Sequence, residues 1–137
     1  MNSKEMAESY LLEGDIRLKT ARIALKDEYF AYAVRQSQEC VELSLKGALR
    51  YVGIEPPKWH DVGIILKKEV QRFPEWFSEN IDRLSIVSRE LRREREPSMY
   101  GDSDLNLPAM ELYTKLDAQD AVNKADFVMG LCKRLVV

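Results

Sequence analysis

The chain has a single histidine, His60. That excludes zinc sites built on two histidines and di-iron bundles built on two Glu-x-x-His motifs; a Ser-His-Asp triad stays open by count alone. Cysteine is nearly as scarce: Cys40 and Cys132 stand alone, with no Cys-x-x-Cys. No disulfide framework can follow, and two free, buried thiols in a reducing compartment are expected. The six glycines are scattered and form neither Gly-x-x-x-x-Gly-Lys nor Gly-x-Gly-x-x-Gly, so phosphate-cradling loops are missing. No apolar run approaches the ~18 residues of a membrane span, and Met1 to Glu5 carry no apolar signal segment. The expected location is cytoplasmic. Charge of neither sign dominates, with 21 Lys and Arg against 23 Asp and Glu. That balance excludes a whole-surface basic footprint for nucleic acid and leaves room for a local one.

What is present reads as helix. The 137 residues, 45% hydrophobic and 32% charged, suit one domain over residues 1–137 with a core of its own. Apolar side chains recur at steps of three and four nearly throughout. A first helix is expected from about Ser3 to Lys26. Leu12, Ile16 and Ile23 line one arc of it, and Leu11, Leu18, Ala21 and Leu25 line the neighbouring arc. A second runs from about Tyr29 to Tyr51 and is capped at Gly53. It carries a main stripe through Phe30, Val34, Val41, Leu45 and Ala48, and a smaller arc of Tyr29, Tyr32, Cys40, Leu43 and Gly47. Two apolar arcs place this helix at the centre of its bundle or against another subunit. Pro56 and Pro57 make an extended corner, followed by a short helix from about Asp61 to Val70. Pro74 opens the next long helix, with its seam at Phe77, Ile81, Leu84 and Leu91 and its end near Arg95, ahead of Pro97. Residues 96–110 read as a long ordered loop. The last helix begins at Thr114–Asp117, a capping box with Asp in place of Glu. The fold class is therefore all-α: an antiparallel up-and-down bundle of four long helices plus one short helix.

The fourth helix ends in Arg89, Arg92, Arg93 and Arg95, interleaved with Glu90, Glu94 and Glu96. A salt-bridged, solvated face is the ordinary reading of such a run. At about 100° per residue, however, Arg95 shares the heading of Phe77, Leu84 and Leu91, with Arg92 beside it and Arg93 pointing away. An arginine in line with the core must meet a carboxylate or wall a cleft at the bundle's end. Tyr100 and Asp102 follow closely, and arginine, tyrosine and an acid together could grip a phosphate and hold a base. The alternative is a structural arginine paired with Asp102 or Glu39, with Tyr100 sealing the core edge. Arg35, Glu39, Glu42 and Lys46 share one face of the second helix, and Glu39 or Glu42 would join a polar site if packed against Arg92 and Arg95. His60, beside Asp61 ahead of a helix, reads as a local hydrogen bond that fixes the turn; Trp59, Trp76 and Phe77 pack the corner. Asp102 and Asp104 lack a third partner, so no metal is expected.

In order along the chain stand Tyr32-Ala33-Val34-Arg35-Gln36 running through Glu39, Glu42 and Lys46, then Gly53-Ile54-Glu55-Pro56-Pro57 with His60-Asp61. Leu91-Arg92-Arg93 leading to Tyr100-Gly101-Asp102 comes next, and Tyr113-Thr114 through Asp117-Ala118 opens the final helix. This ordered set resembles a HEPN domain of the small stand-alone archaeal and bacterial type, over about Glu5 to Leu135. The resemblance implies a helical bundle that dimerises and is often encoded beside a minimal nucleotidyltransferase, whose nucleotide or substrate it was proposed to bind. Many relatives are RNases, frequently the toxin of a toxin–antitoxin pair. Their signature is an arginine and, several residues on, a histidine, two copies of which meet across the dimer in a composite, metal-independent site. Here Arg95 is followed, after four intervening residues, by Tyr100 where the histidine belongs. A phenol is a weaker general base than an imidazole at neutral pH, so RNase activity is not carried over. The expectation is a homodimeric nucleotide- or RNA-binding module without cofactor or metal, partnered by a minimal nucleotidyltransferase. Its site residues are Arg92, Arg95, Tyr100 and Asp102, with Glu39 beside them. The alternatives are a metal-independent RNase using Arg95 and Tyr100 of both copies, and an adapter binding another chain through Tyr29, Tyr32 and Leu43.

Overall fold

Three long helices form the frame: α1 (Ser3–Lys26), α2 (Phe30–Tyr51) and α8 (Lys115–Leu135). Between them run α3 (Val62–Lys68), a 3-10 turn (Val70–Arg72), α4 (Glu75–Ser78), α5 (Ile81–Arg93), α6 (Pro97–Tyr100) and α7 (Ala109–Leu112). This is a computed structural model, and it describes residues 3–58 and 61–137. The readings made for Trp59 and His60 lie outside the described residues. Among those described, Asp102 and Leu107 form an isolated β-bridge and no strand occurs, so the all-α class holds.

A tight turn joins α1 to α2, with the Tyr29 N–H donating to the Ala24 carbonyl at 2.8 Å. The two helices then run back to back, and α8 packs on both. Gly14 permits the close approach. A Cβ built there would lie 2.9 Å from Met129 Cε and 3.0 Å from Ser44 Oγ, one side chain from each partner helix. The core runs through Leu18, Leu45, Leu49, Leu66, Phe77, Leu84 and Met129, all fully buried.

Of the two apolar arcs on α1, the one with Leu11, Leu18 and Ala21 is buried, while Leu12, Ile16 and Ile23 are 63%, 45% and 62% exposed. Arg17 reaches Glu39 on α2 and Asp15 holds Lys133 on α8, so both neighbours sit on the inner side and the outer arc faces away. The second arc of α2 divides differently. Cys40 and Gly47 are buried, Gly47 against Ala7 and Leu11 of α1, whereas Tyr29 and Tyr32 stay exposed.

The arrangement differs from four long helices plus one short. The helix expected from Pro74 to Arg95 is two: Pro74 is the N-cap of the one-turn α4, and α5 starts only at Ile81. Asn80 makes the break by donating from Nδ2 to the Trp76 carbonyl at 2.8 Å, ending α4 locally. The expected loop over residues 96–110 contains α6, a tight hairpin and the start of α7. Pro97 opens α6 as its first residue, the position where a missing N–H costs nothing. The Thr114–Asp117 capping box is present, with both reciprocal bonds made.

Cys40 and Cys132 are free and buried. Burial pushes the Cys40 thiol up to about 12, against a lowering hydrogen bond with Ser44, and burial raises Cys132 as well. Neither thiol should react with Ellman's reagent at pH 8 until urea unfolds the chain; rapid labelling of the native protein would contradict the burial. A folded chain that keeps these protons, when the unfolded one releases them above about pH 8.5, loses stability as pH rises from there toward 12. The urea midpoint should therefore be lower at pH 10 than at pH 8.

Candidate functional site

The end of α5, the α6–α7 segment and the outer face of α2 meet at one corner. α5 ends at Arg93, and Arg95 sits in the turn beyond it. Helical heading therefore no longer governs Arg95, and its side chain does not enter the core. The Arg95 side chain is 51% exposed, with Nη1 3.9 Å from Glu42 Oε1 on α2. Its backbone is held firmly: Arg35 Nη1 donates to the Arg95 carbonyl, and Ser98 Oγ donates to the same oxygen at 3.3 Å.

Glu39 organises the α2 side. One oxygen accepts from Arg17 Nε at 3.3 Å, and the other from Arg35 Nε at 3.0 Å and Gln36 Nε2 at 3.3 Å. The carboxylate thus orients Arg35, which in turn fastens the α5–α6 turn to α2. Arg92 is half-buried in the last turn of α5, beside Gln38, Glu42 and Ser88. Tyr100 lies at the end of α6 and is 76% exposed. Asp102 is committed to its own hairpin: its Oδ1 accepts the Leu105 N–H at 3.1 Å, and its backbone pairs with Leu107. Among the described residues no ion pair joins Asp102 to Arg95, so the expected orienting role of that acid is not made. The five residues fall into two neighbouring sets, Arg92 and Arg95 facing α2 with its Glu39, and Tyr100 with Asp102 at the end of α6 and just past it.

Two larger concavities flank this corner. The first, about 560 Å³, lies between the start of α2 and the α6–α7 segment, walled by Tyr29, Tyr32, Met99 and Met110 with Arg35 and Glu39 at its edge. Its walls are apolar and open: Tyr29 is 57%, Tyr32 51%, Met99 47% and Met110 76% exposed. The second, about 510 Å³, lies between α5 and α8 and is acidic, with Glu90, Glu94, Asp102, Asp117 and Asp120 facing Arg93 and Lys124. There Tyr113 Oη donates to Glu94 Oε1 at 2.9 Å, and Lys124 Nζ lies 2.7 Å from Asp120 Oδ2 and 3.4 Å from Glu90 Oε1. Burial first, then the Glu94 carboxylate, pushes the Tyr113 phenol up. Burial alone would lower Lys124, but its bonds to Asp120 and Glu90 outweigh that and raise it. The phenol and the ammonium are both spoken for, which makes this cleft a brace between α5 and α8. No group of three or more His, Cys, Asp and Glu side chains able to hold a metal ion occurs among the described residues. Among them, too, no helix is long and apolar enough to cross a membrane.

A family model described as HEPN domain matches residues 7–135. Two solved structures are similar over almost their full lengths. TT1696 from Thermus thermophilus superimposes with a TM-score of 0.75 at 24% identity, covering 98% of each chain. ST0689, an archaeal HEPN homologue, gives 0.71 at 25% identity, covering 96% of this chain and 98% of that one. No curated protein matches the sequence.

Proposed function

We propose, for a chain that belongs to the HEPN domain family, that it binds a nucleotide or single-stranded RNA where α2 meets α6. The observation that carries this reading is the tyrosine–methionine groove, one of whose lining residues, Arg35, holds the backbone of the half-exposed Arg95. Single-stranded nucleic acid is held by aromatic faces on which bases stack and by cations that follow the backbone. Tyr29 and Tyr32 offer such faces in a groove large enough for a base and its sugar. Met99 and Met110 supply polarisable, adaptable walls opposite.

Arg95 is the phosphate-binding group. Arg35 is only 16% exposed and already serves Glu39 and the Arg95 carbonyl. Arg95, by contrast, has a long 3.9 Å contact with Glu42 that an incoming phosphate can replace. Tyr100 extends the stacking surface beyond α6, and Arg92 adds positive charge on the α2 side. Glu39 and Asp102 act by positioning, the first through Arg35 and the second through the hairpin. A minimal nucleotidyltransferase is the protein partner that the family resemblance implies, and the groove's nucleotide would be the object the two share.

Fluorescence anisotropy with labelled oligouridylate and with a labelled mononucleotide tests the reading and separates strand from monomer. Tyr32→Ala and Arg95→Ala should each weaken binding about tenfold, with the melting temperature unchanged because both side chains are half-exposed. Arg95→Ala should also flatten the salt dependence by roughly 0.7 in logarithmic slope. Unchanged affinity in both variants would remove the site. Incubating the wild type with the same RNA in EDTA should leave the strand intact; cleavage abolished by Arg95→Ala would instead select the composite RNase.

A further inference from the structure

We propose that Met99 and Met110 are a paired oxidation site: a two-electron oxidant of the hydroperoxide class turns both thioethers into sulfoxides and closes the tyrosine groove to its strand. The effect on binding rests on the nucleotide reading of that groove; the preference for these two sulfurs does not. Burial divides the methionines of the described residues sharply. Met110 is 76% and Met99 47% exposed, Met6 is half-buried on α1, and Met129 is 2% exposed in the core. The two open ones lie on separate short helices, α6 and α7, yet wall the same concavity. The hairpin pinned by the Asp102–Leu107 bridge brings them together there. The usual competitors for an oxidant are shut away. Cys40 and Cys132 are buried, and burial holds both thiols protonated, whereas oxidation of cysteine needs an accessible thiolate. A thioether has no proton to lose, so its reactivity follows its exposure.

In the step itself a sulfur lone pair attacks one peroxide oxygen and the O–O bond breaks. The sulfur gives up two electrons and gains an oxygen; the departing hydroxide takes the proton of the transferred hydroxyl and leaves as water. A thiol-dependent sulfoxide reductase reverses the change, with two electrons from a dithiol releasing the oxygen as water and leaving a disulfide. The oxidation falls on the groove's recognition surface, across from Tyr29 and Tyr32. Each sulfoxide sets a strong dipole and a bulky acceptor where an adaptable apolar wall stood. Water bound to that oxygen must be stripped before a base slides between wall and ring, and the oxygen repels the phosphate oxygens of the strand. Arg35 at the groove's edge offers no relief, since it already serves Glu39 and the Arg95 carbonyl. Neither Met99 nor Met110 belongs to the hydrophobic core, so the fold is spared.

Brief treatment of the purified full chain with dilute hydrogen peroxide, followed by peptide mass mapping, should show Met99 and Met110 gaining oxygen at least ~10-fold faster than Met129. Circular dichroism and melting temperature should keep their untreated values. Anisotropy with labelled oligouridylate should then read binding ~10-fold weaker, restored by methionine sulfoxide reductases of both epimer specificities with dithiothreitol. Met99→Leu with Met110→Leu, compared with itself before and after peroxide, should show no such loss; Met6 remains in that variant as the control. Met129 oxidising as fast as the groove pair overturns the proposal. So does an oxidised pair that binds RNA as the untreated chain does, or a leucine variant that loses as much as the wild type. A chain that holds no RNA before treatment removes the groove reading and with it the gating, while the mass map alone upholds or overturns the oxidation site.

Discussion

Truncating Phe77 to alanine should lower the unfolding free energy by about 3–5 kcal/mol. For a chain of 137 residues that is a fall of roughly 10–20 °C in melting temperature. Phe77 is fully buried on the one-turn helix α4. Its ring stacks on Phe73 at 4.7 Å and meets Trp76 edge-on at 5.9 Å. Trp76 in turn lies under the Arg134 guanidinium at 4.0 Å, which ties the cluster to the last turn of α8. A four-residue helix cannot collapse into the vacated volume, because Asn80 and Pro74 fix its ends. The cost is therefore the lost burial plus a cavity that stays open. Urea unfolding followed by circular dichroism checks it. A loss below about 1.5 kcal/mol would show that the corner repacks, and would make α4 an ornament of the fold where the geometry makes it a wedge.

The second large effect is expected at Gly101, where alanine should cost about 3 kcal/mol. Its φ of 78° and ψ of −157° belong to a region that side chains other than glycine's barely enter. Space is lacking as well: a Cβ there would fall 2.2 Å from the Leu107 carbonyl oxygen and 2.8 Å from the Ala109 nitrogen. Both are backbone atoms, so no rotamer change relieves the clash. That same Leu107 carbonyl accepts the Asp102 N–H at 2.8 Å, and moving it opens the hairpin that follows Tyr100. Gly101→Ala should therefore lower stability and nucleotide affinity together, whereas Arg95→Ala lowers affinity alone. Hydrogen exchange at the Asp102 and Leu107 amides would report the opening directly. Protection equal to wild type would mean the loop accepts a side chain after all.

Elements whose signals are local were legible in the residues. The bounds of α1, the Thr114–Asp117 cap of α8 and the helix end before Gly53 all rest on contacts within a few positions. The Asn80 break was not, because an asparagine inside an apolar seam passes as a tolerated polar residue until its amide is seen on the Trp76 carbonyl. Arg95 shows how such a miss propagates. Its inward heading assumed an unbroken helix from Pro74, and with a break at Asn80 and an end at Arg93 the angle no longer applies. Glu39 was legible as part of a face, but its hold on Arg17 spans 22 positions. Arg35's bond to a main-chain oxygen 60 positions on leaves no mark in either side chain. The two arcs of α1 are both apolar in sequence, and periodicity cannot say which of two adjacent arcs the bundle covers.

The cleft between α5 and α8 has a bearing on how a polyanion would arrive. Five carboxylates gathered on one flank, two of them shared with Lys124, repel a strand from that side within a screening distance of about 8 Å. A strand drifting toward the molecule is thereby turned before it touches, and the approach left open leads over the tyrosines. Salt should blunt this exclusion, so unproductive encounters on the acidic flank should become more frequent as ionic strength rises, even where the bound complex is held mainly by stacked rings.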